Sequence, residues 1–120
     1  MILLISDDLL DASKTTGSAR AGAIPIMQCK SLTVAILRLK QNEITCCIAD
    51  LQCPGLDVEG LIALLAEQKK KPRVIAYGSH VDAALLSAAR KAGCDEVMPR
   101  SQFFEEMPAK IAEWAKPRAA

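Results

Sequence analysis

The sequence predicts a doubly wound α/β domain, a five-stranded parallel sheet with helices on both faces in a three-layer α/β/α arrangement. Short apolar β-type runs alternate with helix-period patterns from end to end, five of each. Three of the strand-like runs are continuously apolar, as strands covered on both faces must be. Two of them end in bare carboxylates: Met1 to Ile5 runs into Ser6-Asp7-Asp8, and Ile44 to Ala49 runs into Asp50 ahead of Pro54-Gly55.

The strands are expected near Ile2 to Ser6, Ile24 to Cys29, Ile44 to Ala49, Arg73 to Tyr77 and Glu96 to Pro99. The first helix, roughly Leu9 to Ala21, has poor intrinsic propensity because of Ser13, Thr15, Thr16, Gly17 and Ser18, so it relies on packing; its small residues allow close approach to the sheet. Thr16-Gly17-Ser18 lacks the glycine spacing and lysine of a phosphate loop. Ser31 is the expected N-cap of the second helix, whose stripe is Leu32, Ala35, Ile36 and Leu39. Val58, Leu61, Ile62 and Leu65 repeat that spacing in the third, with Asp57 as its N-cap. Lys69, Lys70 and Lys71 suit its carbonyl end, and Pro72 bars continuation. The fourth helix uses Val81, Ala84, Leu85 and Ala88 and stops at Gly93. For the last helix the stripe is Phe104, Met107, Ile111 and Trp114, with Pro108 either kinking or dividing it.

At 120 residues the chain is read as one domain, 1–120, long enough to bury a core. Fifteen basic against fourteen acidic residues leave a net charge of +1, which suggests neither a nucleic-acid footprint nor an acidic tail. The five cysteines, Cys29, Cys46, Cys47, Cys53 and Cys94, are odd in number and carry no CxxC spacing; they read as reduced, buried thiols of a cytosolic chain. The N-terminal apolar run is too short for a span and lacks the basic flank of a signal peptide, so a soluble cytoplasmic protein is expected, with no membrane partner.

If the first and third strands are neighbours, their carboxyl ends share the edge where open α/β folds place ligands, and Asp7, Asp8 and Asp50 meet in one cleft. Ordinary structural roles compete for each: a carboxylate before Leu9 caps the first helix, and Asp50 suits a turn before Pro54-Gly55.

Taken together, the order βαβαβαβαβα, the acidic pair after strand one and Asp50 after strand three resemble the receiver domain of two-component response regulators, a flavodoxin-like fold, over essentially the whole chain. Asp50-Leu51-Gln52-Cys53-Pro54-Gly55-Leu56-Asp57 is similar to the family's aspartate-to-proline stretch, and Ala92-Gly93-Cys94-Asp95-Glu96-Val97 to its turn into strand five. The resemblance implies that Asp50 accepts a phosphoryl group from a histidine kinase or phosphotransfer protein. It also implies that Mg2+ is held by Asp7, Asp8, Asp50 and the carbonyl of Gln52, and that the switch acts on a downstream output protein, with a homodimer among the allowed assemblies. A divalent cation removes the repulsion between a carboxylate nucleophile and a phosphoryl group.

Elsewhere the chain departs from the family pattern. The hydroxyl residue ending strand four aligns with Gly78, and Ser79 supplies a hydroxyl only if the loop shifts by one position. The family's lysine and following proline align with Arg100 and Ser101, with Pro99 before the basic residue, and the aromatic of strand five aligns with Val97. Arginine can grip phosphate in a bidentate manner, so the resemblance assigns it the lysine's place. Tyr77 is expected in the core with its hydroxyl reaching solvent, His80 on the surface of the fourth helix's first turn, and Cys53 packed.

The function expected first is a stand-alone atypical receiver that accepts a phosphoryl group on Asp50, and the alternative is a phosphorylation-independent pseudo-receiver that acts by docking. A third class, a small enzyme on the same architecture, would need a phosphate loop or a nucleophile–histidine set, and His80 has no nucleophile at a supportable spacing. The chain is accordingly not expected to be an enzyme beyond self-phosphorylation and dephosphorylation chemistry.

Overall fold

In the computed structural model, which describes residues 1–118, five parallel strands alternate with five helices: β1 Ile2–Ile5, α1 Leu9–Ala21, β2 Ile26–Cys29, α2 Leu32–Gln41, β3 Cys46–Asp50, α3 Val58–Ala66, β4 Arg73–Gly78, α4 Ala83–Ala92, β5 Glu96–Pro99 and α5 Arg100–Ala115. The strand order is β2-β1-β3-β4-β5. This is the doubly wound, flavodoxin-like sheet that the alternating pattern predicts. The order changes direction between β1 and β3, and Ile5 lies level with Ala49, so the residues leaving both strands emerge side by side.

Strand alternation sorts side chains into two layers. Ile2, Leu4, Cys46, Ile48, Ile75 and Tyr77 face α1 and α5, while Leu3, Ile5, Cys47, Ala49 and Val74 face α2 and α3. Ala76 joins Leu51, Val58, Leu86 and Ala89 under α3 and α4. All four aromatic residues of the chain gather on the α1/α5 side. Tyr77 stacks on Phe103 with centroids 4.4 Å apart, Phe103 stacks on Trp114 at 5.7 Å, and Phe104 meets Tyr77 and Phe103 edge-on.

Several elements differ from expectation for local reasons. The third strand runs Cys46–Asp50, two residues later at its start than expected and with Asp50 as its last residue, although the backbone bonds of Thr45 to Met1 and Arg73 continue its pairing one residue further back. The third helix stops at Ala66, before the lysines. Asp57 precedes that helix as expected but makes no side-chain cap bond. In the fourth helix the stripe moves by one position: a turn closed by the Asp82 N–H on the Ser79 carbonyl delays the start to Ala83, Asp82 caps it, and Leu86 and Ala89 are buried while Val81 is 79% exposed. The last helix runs unbroken through Pro108, and Phe103, not Phe104, joins Met107, Ile111 and Trp114 inside. Gly93 ends α4 at a φ of 104°, the left-handed conformation its position predicts.

Candidate functional site

The site is built from the carboxyl ends of β1, β3 and β4 under the first turns of α1 and α5. Asp50 ends β3 with its side chain on the α1/α5 face and is 4% exposed. The residue abreast of it on β1 is Ser6, not an acid. The Ser6 hydroxyl donates to Asp50 Oδ2 at 3.0 Å, and the Gln52 backbone N–H donates to Oδ1 at 3.0 Å. Burial pushes the Asp50 carboxyl above the ordinary aspartate range; the two hydrogen bonds oppose that shift, and the negative charges of Asp11 and Asp7 add to it.

The acidic pair divides its work. Asp8 is the N-cap of α1, its Oδ1 accepting the Asp11 N–H at 2.9 Å, and its own N–H donates to Ser6 Oγ at 3.2 Å. Asp7 is exposed. The three aspartates predicted from the sequence lie at the same edge, but their side chains have different partners. Asp8 is exposed with its Oδ1 held by the cap, each oxygen of Asp50 accepts one protein donor, and among the described residues no three His, Cys, Asp or Glu side chains gather as a metal-ligand group.

A carboxylate that the motifs did not single out dominates the edge. Asp11, 2% exposed in the first turn of α1, accepts from the Tyr77 hydroxyl at 3.2 Å and from Arg100 Nε at 3.1 Å on Oδ2, while Arg100 Nη2 bonds Oδ1. Arg100, expected at the phosphoryl position, is thus engaged two-pronged by Asp11, because a buried carboxylate must be paired and a planar guanidinium satisfies both oxygens at once. Tyr77 is core, as expected, but its hydroxyl ends on Asp11 instead of solvent. Burial raises the phenol pKa, and the Asp50 charge adds to that. The sequence did carry a signal for Asp11: Ala12, Thr15, Thr16 and Ala19 mark the inward stripe of α1, and residue 11 lies one turn before Thr15 on it.

The opposite rim is closed by Gln52. Its side-chain Oε1 accepts the Ser79 N–H at 2.9 Å, and a β-carbon placed on Gly78 would lie 2.8 Å from that oxygen and 3.3 Å from Leu51 Cβ. Ser79 Oγ accepts the Val81 N–H at 3.4 Å. His80 is exposed in the loop before α4. Cys53 is buried, its thiol donating to the Lys30 carbonyl at 3.4 Å, and desolvation raises its pKa, which suits packing better than nucleophilic work. All five cysteines are free, four of them buried. No helix among the described residues is long and apolar enough to cross a membrane.

No protein-family model matches the sequence, and no curated protein matches it. Solved structures do. The signal receiver domain of a response regulator from Bermanella marisrubri is 20% identical with a TM-score of 0.80, covering 96% of this chain and 97% of that one. The receiver domain of NtrX from Brucella abortus is 15% identical with a TM-score of 0.79, covering 96% and 97%. The receiver domain of a sensor histidine kinase from Pseudomonas aeruginosa, described with a magnesium ion coordinated in its active-site cleft, is 14% identical with a TM-score of 0.78, covering 95% of each. The chain has the receiver-domain fold of response regulators.

Proposed function

We propose that this chain is a receiver-type module of two-component signalling that acts by docking to partner proteins, with Asp50 serving as an internal structural carboxylate instead of a phosphoryl acceptor. The observation that carries this reading is the engagement of Arg100 by Asp11. The cation nearest to the role of phosphoryl partner is already neutralised inside the chain. Gly78 leaves the last residue of β4 without a hydroxyl, which supports the same reading.

The second reading is the phosphoacceptor one. In it Asp50 takes a phosphoryl group from a histidine kinase or phosphotransfer protein, Asp7, Asp8, Asp50 and the Gln52 carbonyl hold Mg2+, and Ser79 and Arg100 meet the phosphoryl oxygens. It is favoured by the place of Asp50 at the carboxyl end of β3 and by Asp7 standing close enough to act on its charge. It requires Arg100 to leave Asp11. Amide NMR spectra with Mg2+ and beryllofluoride separate the two: the docking reading expects unchanged spectra for the wild type, whereas shifts that vanish in Asp50→Asn would establish the phosphoacceptor.

A further inference from the structure

Lys69, Lys70 and Lys71 are left without the helix-end role that their place in the sequence suggests. The third helix ends at Ala66 with no basic residue in its last turn, and a helix dipole acts only within that turn. The three lysines are exposed in the connection from α3 to β4, at the amino edge of the sheet and opposite Asp50. There they line a cleft of about 750 Å³ together with Ile44, Thr45, Pro117 and Arg118. The segment after α5 that closes it is anchored: Thr45 Oγ1 donates to the Ala115 carbonyl at 2.7 Å, Arg73 Nη1 donates to the Glu113 carbonyl at 2.6 Å, and Arg118 pairs with Asp95. Lys70 reaches Glu43 at 3.7 Å, but both side chains are open to solvent and such a pair contributes little. Among the described residues Lys69 and Lys71 have no ion-pair partner.

We propose that this cleft docks an acidic segment of a partner protein, the three lysines meeting its carboxylates while an apolar side chain lies against Ile44 and Pro117. Charge decides the occupant. The net charge of +1 hides a segregation along the strand direction: Asp7, Asp8, Asp50, Asp57 and Asp82 lie at the carboxyl edge, and Lys69, Lys70, Lys71 and Arg118 at the opposite one. A cationic rim beside apolar side chains suits carboxylates that flank an apolar residue. Glu43 and Asp95 interrupt the basic face, which disfavours the continuous phosphates of a nucleic acid. This surface lies away from Asp50 and goes beyond the docking reading of that edge, so it serves under either reading of Asp50.

The test is an amide NMR titration of the whole chain with a short end-capped peptide of glutamate interspersed with leucine. The wild type is expected to shift at Thr45, Lys69, Lys70, Lys71 and Arg118, while the amides of Asp7, Asp8 and Asp50 stay fixed. Lys69→Glu/Lys71→Glu, a change confined to exposed side chains, is expected to bind about tenfold or more weakly, because two attractive surface contacts become repulsive. The same peptide with glutamine for glutamate is expected not to bind, and the wild-type affinity to fall as salt rises. No binding by the wild type at millimolar peptide, shifts centred elsewhere, equal affinity of the double variant, or equal binding of the glutamine peptide would overturn the proposal. So would tighter binding of oligothymidylate or of phosphatidylserine vesicles, which would assign the lysines to a polyphosphate or a membrane. Should the double variant not fold, the wild-type shift map and the glutamine peptide decide.

Discussion

At the level of single residues, Gly78 and Gln52 are a matched pair. Gly78 leaves space that the Gln52 amide fills, and the amide oxygen in turn holds the Ser79 N–H. A threonine at 78 must push the Gln52 side chain off that bond and press on Leu51 Cβ, so Gly78→Thr is expected to destabilise by about 1–3 kcal/mol. Removing the obstruction first changes the outcome. Gln52→Ala alone costs the Ser79 bond, about 1 kcal/mol, and the double variant should be less destabilised than the sum of the singles. Urea denaturation of the four proteins measures this coupling, and strict additivity would show that the two residues do not compete for space. This pairing was not legible in the sequence. Gly78 aligned with a position expected to carry a hydroxyl, and nothing local says that a glutamine 26 residues earlier folds back over it. Asp11 is likewise hidden in the sequence, because it is a single acid one turn after the adjacent pair and its partner lies 89 residues away.

Among the elements, α1 and α5 carry sequence features that oppose their own helicity. In α1, a β-carbon on Gly17 would touch nothing within 4 Å, and its φ is not in the left-handed region. Gly17→Ala is therefore expected to stabilise by about 0.5–1 kcal/mol. Pro108 sits exposed inside α5, where it removes one helical N–H; Pro108→Ala is expected to stabilise by roughly 1–3 kcal/mol. Thermal melts of each variant check both, and a fall in melting temperature for Pro108→Ala would mean that α5 needs the bend. The reason α5 tolerates proline is tertiary: Phe103, Met107, Ile111 and Trp114 bury one face against the sheet and outweigh a local propensity penalty. Periodicity located that face to within one residue. It failed by one in α4, where Ala83, Ala84, Ala88, Ala89 and Ala92 give little contrast between inward and outward positions, and the Ser79–Asp82 turn sets the phase instead. The parallel sheet was legible throughout, because β1, β3 and β4 are apolar on both faces, whereas β2, at the sheet edge and half-buried along most of its length, starts two residues later than its pattern suggested.

For the whole molecule, the sheet order converts separate sequence features into one electrostatic centre, and that centre sets how stability responds to pH. Burial holds the folded-state pKa of Asp50 above the ordinary 3.8, so in the interval between the two values the native state binds more protons than the unfolded chain. Stability linked to Asp50 is then greatest below about 3.8, where both states are protonated, and is lost as pH rises through the folded pKa. The difference between the wild type and Asp50→Asn reports this group together with its coupling to the charges of Asp11 and Asp7. Melting temperatures measured from pH 3 to pH 8 are expected to run close together at the acid end and to diverge with rising pH, Asp50→Asn becoming the more stable protein at neutrality. The opposite divergence, with the wild type gaining on the variant as pH rises, would mean that ionised Asp50 is stabilised by a cation in the folded state. Arg100 would then be answering to Asp50 and not to Asp11, and the internal division of charge on which the docking reading rests would not hold in solution.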